Sequence, residues 1–234
     1  NHYENLAKEE KVDREGWCRA KVSYAVNLSR DGKISGIFSL KTEEDRGKKK
    51  VWVPQQIKVP EMVTRSSGVS ANFLCDNSKY MLGIDADGTN QRVLDCFKAA
   101  KERHLPLLRG TEGEMAEAVR RFFETWDPEK ALNCIEVKER WEDLTDGGNL
   151  IFCMGVHYVQ DDPFIQETWE KARKESSDDG LTGICLVTGK KAEISRIHKT
   201  IKGIPGAQSS GAALVSFNAP AFESYGKEQS YNAP

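Results

Sequence analysis

No stretch of this 234-residue chain approaches the roughly 18 consecutive apolar residues that a membrane helix needs. The first residues, Asn1-His2-Tyr3-Glu4, lack the basic and apolar regions of a secretory signal. Cysteine is sparse and never paired: Cys18, Cys75, Cys96, Cys134, Cys153 and Cys185 form no C-x-x-C motif, which argues against a zinc ribbon and for reduced, mostly buried thiols. Only four histidines occur, His2, His104, His157 and His198, and no two stand at the H-x-x-x-H spacing of helical metal ligands. Internal repeats are absent. A formal net charge of −2 does not fit a uniformly basic nucleic-acid binder. What remains is a globular chain, 38% hydrophobic and 30% charged, expected in the cytoplasm with no membrane attachment and no cofactor.

The small net charge hides an uneven distribution. Between residues 110 and 180 there are 8 Lys/Arg against 18 Asp/Glu, a balance of −10 that leaves +8 for the rest. Much of that surplus lies in two stretches. Arg46, Lys48, Lys49, Lys50, Lys58 and Arg65 face only Glu61 in 46–65, and Lys190, Lys191, Arg196, Lys199 and Lys202 face only Glu193 in 190–202. Such asymmetry suits one face for a polyanion and another for solvent or a protein partner.

Periodicity predicts an α+β fold, with antiparallel or mixed sheet at both ends and an acidic helical middle. Residues 1–91 read as β-rich, 92–175 as mainly helical and 181–234 as a basic β/loop region. His2 to Lys11 has helical spacing. From Lys21 to Leu28 apolar residues alternate, placing Val22, Tyr24, Val26 and Leu28 on one face, with a turn at Arg30-Asp31-Gly32-Lys33 and a return strand from Ile34 to Leu40. Pro54 and Pro60 suggest that 48–60 is an edge strand. Tyr80 to Ile84 reads as a strand, ended by Asp85-Ala86-Asp87-Gly88. Helices are expected from Arg92 to about Leu105, from Glu112 to Thr125, after the cap Asp127-Pro128, and from Pro163 to Lys174, with a strand from Asn149 to Val159. Residues 176–180 read as a linker, and strands are expected at 182–187 and 212–217.

A search for catalytic groups finds no frame from which a reaction follows. His104 lies beside an apolar helical face and His157 between Val156 and Tyr158, so both read as structural. His198, inside Arg196-Ile197-His198-Lys199, suits phosphate contact better than general-base work. A nuclease or RNA-processing enzyme using His198 with Lys199 and Lys202 is the catalytic alternative. A purely architectural subunit is the other. The glycine-rich run Gly203 to Gly211 lacks the lysine and serine of a nucleotide-binding P-loop. Both basic stretches do abut a Gly/Ser loop: Arg65 leads into Ser66-Ser67-Gly68-Val69-Ser70-Ala71-Asn72, and Lys199 and Lys202 lead into Gly206-Ala207-Gln208-Ser209-Ser210-Gly211. Lysine and arginine neutralise phosphates, hydroxyls fix register, glycine allows close approach, and Asn or Gln reads groove edges. Small loops suit the narrow minor groove.

The same residues carry a family resemblance. Arg65-Ser66-Ser67-Gly68-Val69, Asn72-Phe73-Leu74-Cys75-Asp76-Asn77, Tyr80 and Leu82-Gly83 form one block. The second runs from Cys185-Leu186-Val187-Thr188-Gly189 through His198, Ile201-Lys202-Gly203, Gln208-Ser209-Ser210-Gly211 and Leu214-Val215-Ser216-Phe217-Asn218 to Asn232-Ala233-Pro234. Together they resemble the large subunit of the type I-C CRISPR surveillance complex (Cascade), of which the chain is expected to be an N-terminal fragment. The resemblance implies a non-catalytic subunit that recognises the protospacer-adjacent motif in double-stranded target DNA and helps to start unwinding. It also implies contacts with crRNA-containing Cascade subunits and a helicase-nuclease. On this reading Asn72 and Gln208 meet groove edges, Ser66, Ser67, Ser209, Ser210 and Asn218 lie near the backbone, Arg65, Lys199 and Lys202 neutralise phosphates, and Lys48-Lys49-Lys50 offers a second track for DNA.

Overall fold

The alternating run begins four residues earlier than its apolar pattern suggested, and strand β1 (Trp17–Leu28) becomes the axis of a mixed sheet in the computed structural model. The structure describes residues 13–45, 47, 49–63, 65, 68–88, 90–178, 182–185, 189–194, 200–201, 204–208, 211–213 and 221. The expected helix at 2–11 lies outside them. One edge of β1 pairs antiparallel with β4 (Lys50–Pro60) along Trp17–Val22 and then with β2 (Ile34–Ser39) along Tyr24–Leu28. Its other edge pairs parallel with β6 (Asn149–Met154). Strand β3 (Lys41–Asp45) lies beyond β4, β5 (Cys75–Asn77) beyond β6, and β7 (His157–Tyr158) folds back on β6.

Two expectations are corrected by the local structure, one on the face of Val22 and one on residues 80–84. Val22 does not share the face of Tyr24, Val26 and Leu28: against β6, Val22 pairs with Asn149 and Tyr24 with Leu150, so Ser23 is a bulge that flips the alternation. Tyr24, Val26 and Leu28 join the helix-covered core, while Val22 packs with Ala20, Ala25, Val59, Cys75, Ile151 and Cys153 on the opposite face. Ser23 sits so close to the chain that a Cβ on Gly148 would collide with it. The expected edge strand β4 has one partner strand along each half, β3 on residues 50–54 and β1 on 55–60; Pro54 opposite Lys41 and Pro60 opposite Trp17 each stand at the end of a ladder, where a missing N–H does least harm. Finally, residues 80–84 are no strand. Asn77 accepts a hydrogen bond from Lys79 N–H and starts the short helix α1 (Ser78–Met81), and the chain leaves it with the N–H groups of Leu82 and Ile84 both on the Ser78 carbonyl.

The helical middle packs on one face of the sheet. It comprises α2 (Gln91–Leu108), α3 (Glu114–Thr125), a 3-10 turn at Pro128–Asn133, α4 (Ile135–Lys138), α5 (Trp141–Thr145) and α6 (Pro163–Asp178). Asn90 caps α2 through Val93 N–H, and Asp127 caps the 3-10 turn through Glu129 N–H. Phe97, Phe122, Phe123 and Phe152 meet at 5.1–5.9 Å between ring centroids and fill the core between helices and sheet. The β1–β2 turn rests on α3 at Gly32, with φ +78°, where a Cβ would come within 2.6 Å of Arg121 and Phe122. All six cysteines are thiols, with Cys75, Cys96 and Cys153 buried; burial pushes Cys153 up to about 11. No helix among the described residues is long and apolar enough to cross a membrane.

The chain divides into two compact units, Asn1–Ala172 and Arg173–Pro234. Residues 176–178 of the expected linker continue α6. In the second unit β8 (Thr182–Ile184) pairs antiparallel with β9 (Lys191–Glu193), and β10 (Thr200–Ile201) with β11 (Ala212–Ala213). The expected strand at 212–217 is seen as its first two residues; 214–217 lie outside the described ones.

Candidate nucleic-acid interface

The first Gly/Ser loop leaves β4 at Pro60 and returns at β5, and its base is built from buried polar groups. Asp76 is 1% exposed, yet it follows the apolar run Phe73-Leu74-Cys75. A carboxylate there needs donors. They are the Arg65 guanidinium, with Nη1 on Oδ1 at 3.0 Å and Nη2 on Oδ2, Asn72 N–H on Oδ2 at 2.9 Å, and Asn77 N–H on Oδ1 at 2.9 Å. Arg65 also donates from Nε to the Ser70 carbonyl at 2.6 Å, and its Cζ lies 4.1 Å from the Tyr80 ring centroid. Burial opposes the Arg65 charge, but the Asp76 hydrogen bonds and Coulomb attraction outweigh it and hold the guanidinium above its ordinary range. Ser70 N–H reaches the Tyr80 hydroxyl at 3.3 Å.

Two sequence expectations change here. Asn72, expected at a groove edge, is 2% exposed, and its Oδ1 accepts Val63 N–H at 2.8 Å. Its amide closes the loop from inside. Arg65, expected to neutralise phosphate, spends its charge on Asp76. Residue reasoning missed Asp76 and Tyr80 as loop-builders, although both stand in the quoted block. The signal was there: an acid directly after an apolar run calls for a cation.

Behind this base, Leu74 has φ +60°, the one non-glycine with positive φ among the described residues. Its N–H donates to His104 Nε2 at 2.9 Å, while Nδ1 lies 2.7 Å from the Ala100 carbonyl and so carries the proton. His104 is fully buried between the rings of Phe73 and Phe123, and burial pushes its pKa down to about 3. In front, Gly68, Val69 and Ser70 are exposed. Gly68 has φ +83°, and a Cβ there would meet nothing within 4 Å.

The second Gly/Ser loop closes the β10–β11 hairpin. Ala207 N–H donates to the Ile204 carbonyl at 3.1 Å and Gly211 N–H to the Gln208 carbonyl at 2.9 Å; Gln208 is exposed. Ser66, Ser67, Lys48, His198, Lys199, Lys202, Ser209, Ser210 and Asn218 lie outside the described residues. Among the candidate sites, the first unit thus brings Arg65 and Asn72 together on Asp76, and Gln208 stands in the second unit. Lys49 and Lys50 are exposed at the start of β4, but the acidic strand β3 lies opposite, and Lys50 Nζ is 3.0 Å from Glu43 Oε1. Trp52, 66% exposed, is paired with Glu43 on the same ribbon.

A cleft of about 460 Å³ is lined by residues that include Trp126, Asn133, Lys33 and Lys130, but its lysines are paired with Asp31 and Asp127 at 2.9 and 2.8 Å. Among the described residues no three His, Cys, Asp or Glu side chains gather as a metal site. Residues 1–234 match the family described as CRISPR-associated protein (Cas_Csd1). No curated protein matches the sequence.

Proposed function

We propose, for a chain that belongs to the CRISPR-associated Csd1 family, that it serves an RNA-guided defence complex as a non-catalytic DNA-recognition subunit. In this role it reads a short protospacer-adjacent motif in duplex DNA and helps to start strand separation, in company with crRNA-bearing subunits and a helicase-nuclease. The observation that carries the reading is the block around Arg65–Tyr80, which folds as an exposed arm, Gly68–Ser70, on a buried polar base. A side-chain-free Gly68 lets the main chain come close to a groove, and the neighbouring hydroxyl and amide groups supply register contacts. In the second unit the exposed Gln208 amide carries the donor and acceptor that a base edge needs.

The test is binding of the assembled complex to duplexes with and without the motif. Gln208→Ala is expected to lower the affinity ratio between them by roughly 5- to 100-fold, the worth of one good base contact. Lys49→Ala is expected to weaken both duplexes alike and to reduce the salt slope by about 1. A wild-type complex that binds both duplexes equally well would overturn the reading.

A further inference from the structure

We infer that Arg65 and Asp76 are positioning residues for the arm Gly68–Ser70, acting on DNA recognition through the shape of the loop and not by touching nucleic acid. The inference rests on the function proposed above and adds to it which residues set motif preference from behind the contact surface.

Three observations point the same way. The first is engagement: Arg65 uses Nε and both Nη nitrogens within the loop base, and one face of its guanidinium lies on Tyr80. A group held on three sides is poorly placed to follow a phosphate. The second is convergence. Asp76 takes the amide of Asn72 as well as Arg65, while Asn72 takes the amide of Val63, so the two limbs of the loop are tied at one buried carboxylate. Ser70 is tied twice, through its carbonyl to Arg65 and its N–H to Tyr80, immediately beside the exposed Gly68 and Val69. The third is sign. An acid at the base of a surface that meets a polyanion is unfavourable by field alone. Its presence makes sense where its hydrogen bonds determine the loop.

The sign also gives the test. By simple electrostatics, Asp76→Asn removes a negative charge and should strengthen DNA binding at every sequence. By positioning, it should lower the preference for motif-bearing over motif-free duplex at least tenfold, while affinity for motif-free duplex and its salt slope stay unchanged. Arg65→Lys, which keeps the charge but loses the fork, should do the same. In the assembled complex without DNA, amide exchange at Val63 and Asn72 should quicken at least tenfold in both variants, with amides of α2 and α3 unchanged. If α2 and α3 also lose protection in Asp76→Asn, Arg65→Lys carries the test. In Arg65→Gln, which removes the cation, a parallel loss on both duplexes with a salt slope lower by about 1 would make Arg65 a phosphate contact and overturn the inference. Unchanged exchange at Val63 and Asn72 would overturn it too. Because exchange is read without DNA, it decides the role of the pair even if the complex shows no motif preference.

Discussion

Between β4 and β5 a glycine-serine loop rests on Asp76, Asn72 and Leu74, all buried, and is tied to Arg65, Tyr80 and His104. Between β10 and β11 a loop of similar composition hangs from two strand pairs, Thr200–Ala213 and Ile201–Ala212. None of the described side chains of the second unit is buried, and Ile184, Ile201 and Ile204 are 68, 42 and 43% exposed. In the first unit side chains from three elements determine the loop. In the second, β8 pairs with β9 and β10 with β11 as short two-stranded ribbons, which by themselves are marginally stable. Similar composition thus accompanies different settings, a loop on a buried polar base in the first unit and a loop on a short ribbon in the second.

The largest break between the two regions should come from the aromatic core. Phe123 is fully buried, 4.3 Å from the His104 ring centroid and 5.3 Å from that of Phe122. Phe123→Ala removes that packing and leaves a cavity, at an expected cost of about 3–5 kcal/mol in chemical unfolding. It should also loosen the first loop, because His104 braces Leu74.

A smaller effect comes from pH. Burial keeps folded His104 neutral down to about 3, against its ordinary 6.5. Between these values the unfolded chain binds a proton that the folded chain does not, so stability falls as pH falls, by about 1.4 kcal/mol per unit from this group. Above 6.5 both states are neutral and the contribution is level. The denaturant midpoint at pH 7.5 and at 5 measures it, and His104→Gln should flatten that part of the profile.

These expectations draw on contacts that were only partly legible in the sequence. The β1–β2 hairpin could be read because its determinants are local: apolar alternation and Asp31-Gly32 at the turn. Helices α2 and α3 could be read from their apolar spacing. The flip at Ser23 could not, since it depends on pairing with Asn149 and Leu150, far along the chain. Pro54 and Pro60 could be read as places where pairing stops, and each stands at the end of a ladder. The apolar residues at 80–84 fit strand or helix until Asn77 is seen to cap. At the candidate site the loop and its glycine were visible, but not which polar residues face inward. Asn72 looked like a reader of bases and is a brace, because its N–H donates to Asp76 and its Oδ1 accepts from Val63 N–H.

The smallest expected effect lies in the second unit and tests the contrast from its other side. Ile201, on β10 opposite Ala212, is 42% exposed, so truncation gives up little burial. Ile201→Ala should therefore change unfolding stability by no more than about 0.5 kcal/mol, the range of ordinary surface substitutions. A loss near that of Phe123→Ala would mean that the ribbon is covered in the folded protein and that both loops are preformed. With the small loss expected, the contrast stands: the β4–β5 arm is held by side chains of Arg65, Asp76 and Tyr80, whereas Ile201 on the β10–β11 ribbon contributes little buried surface.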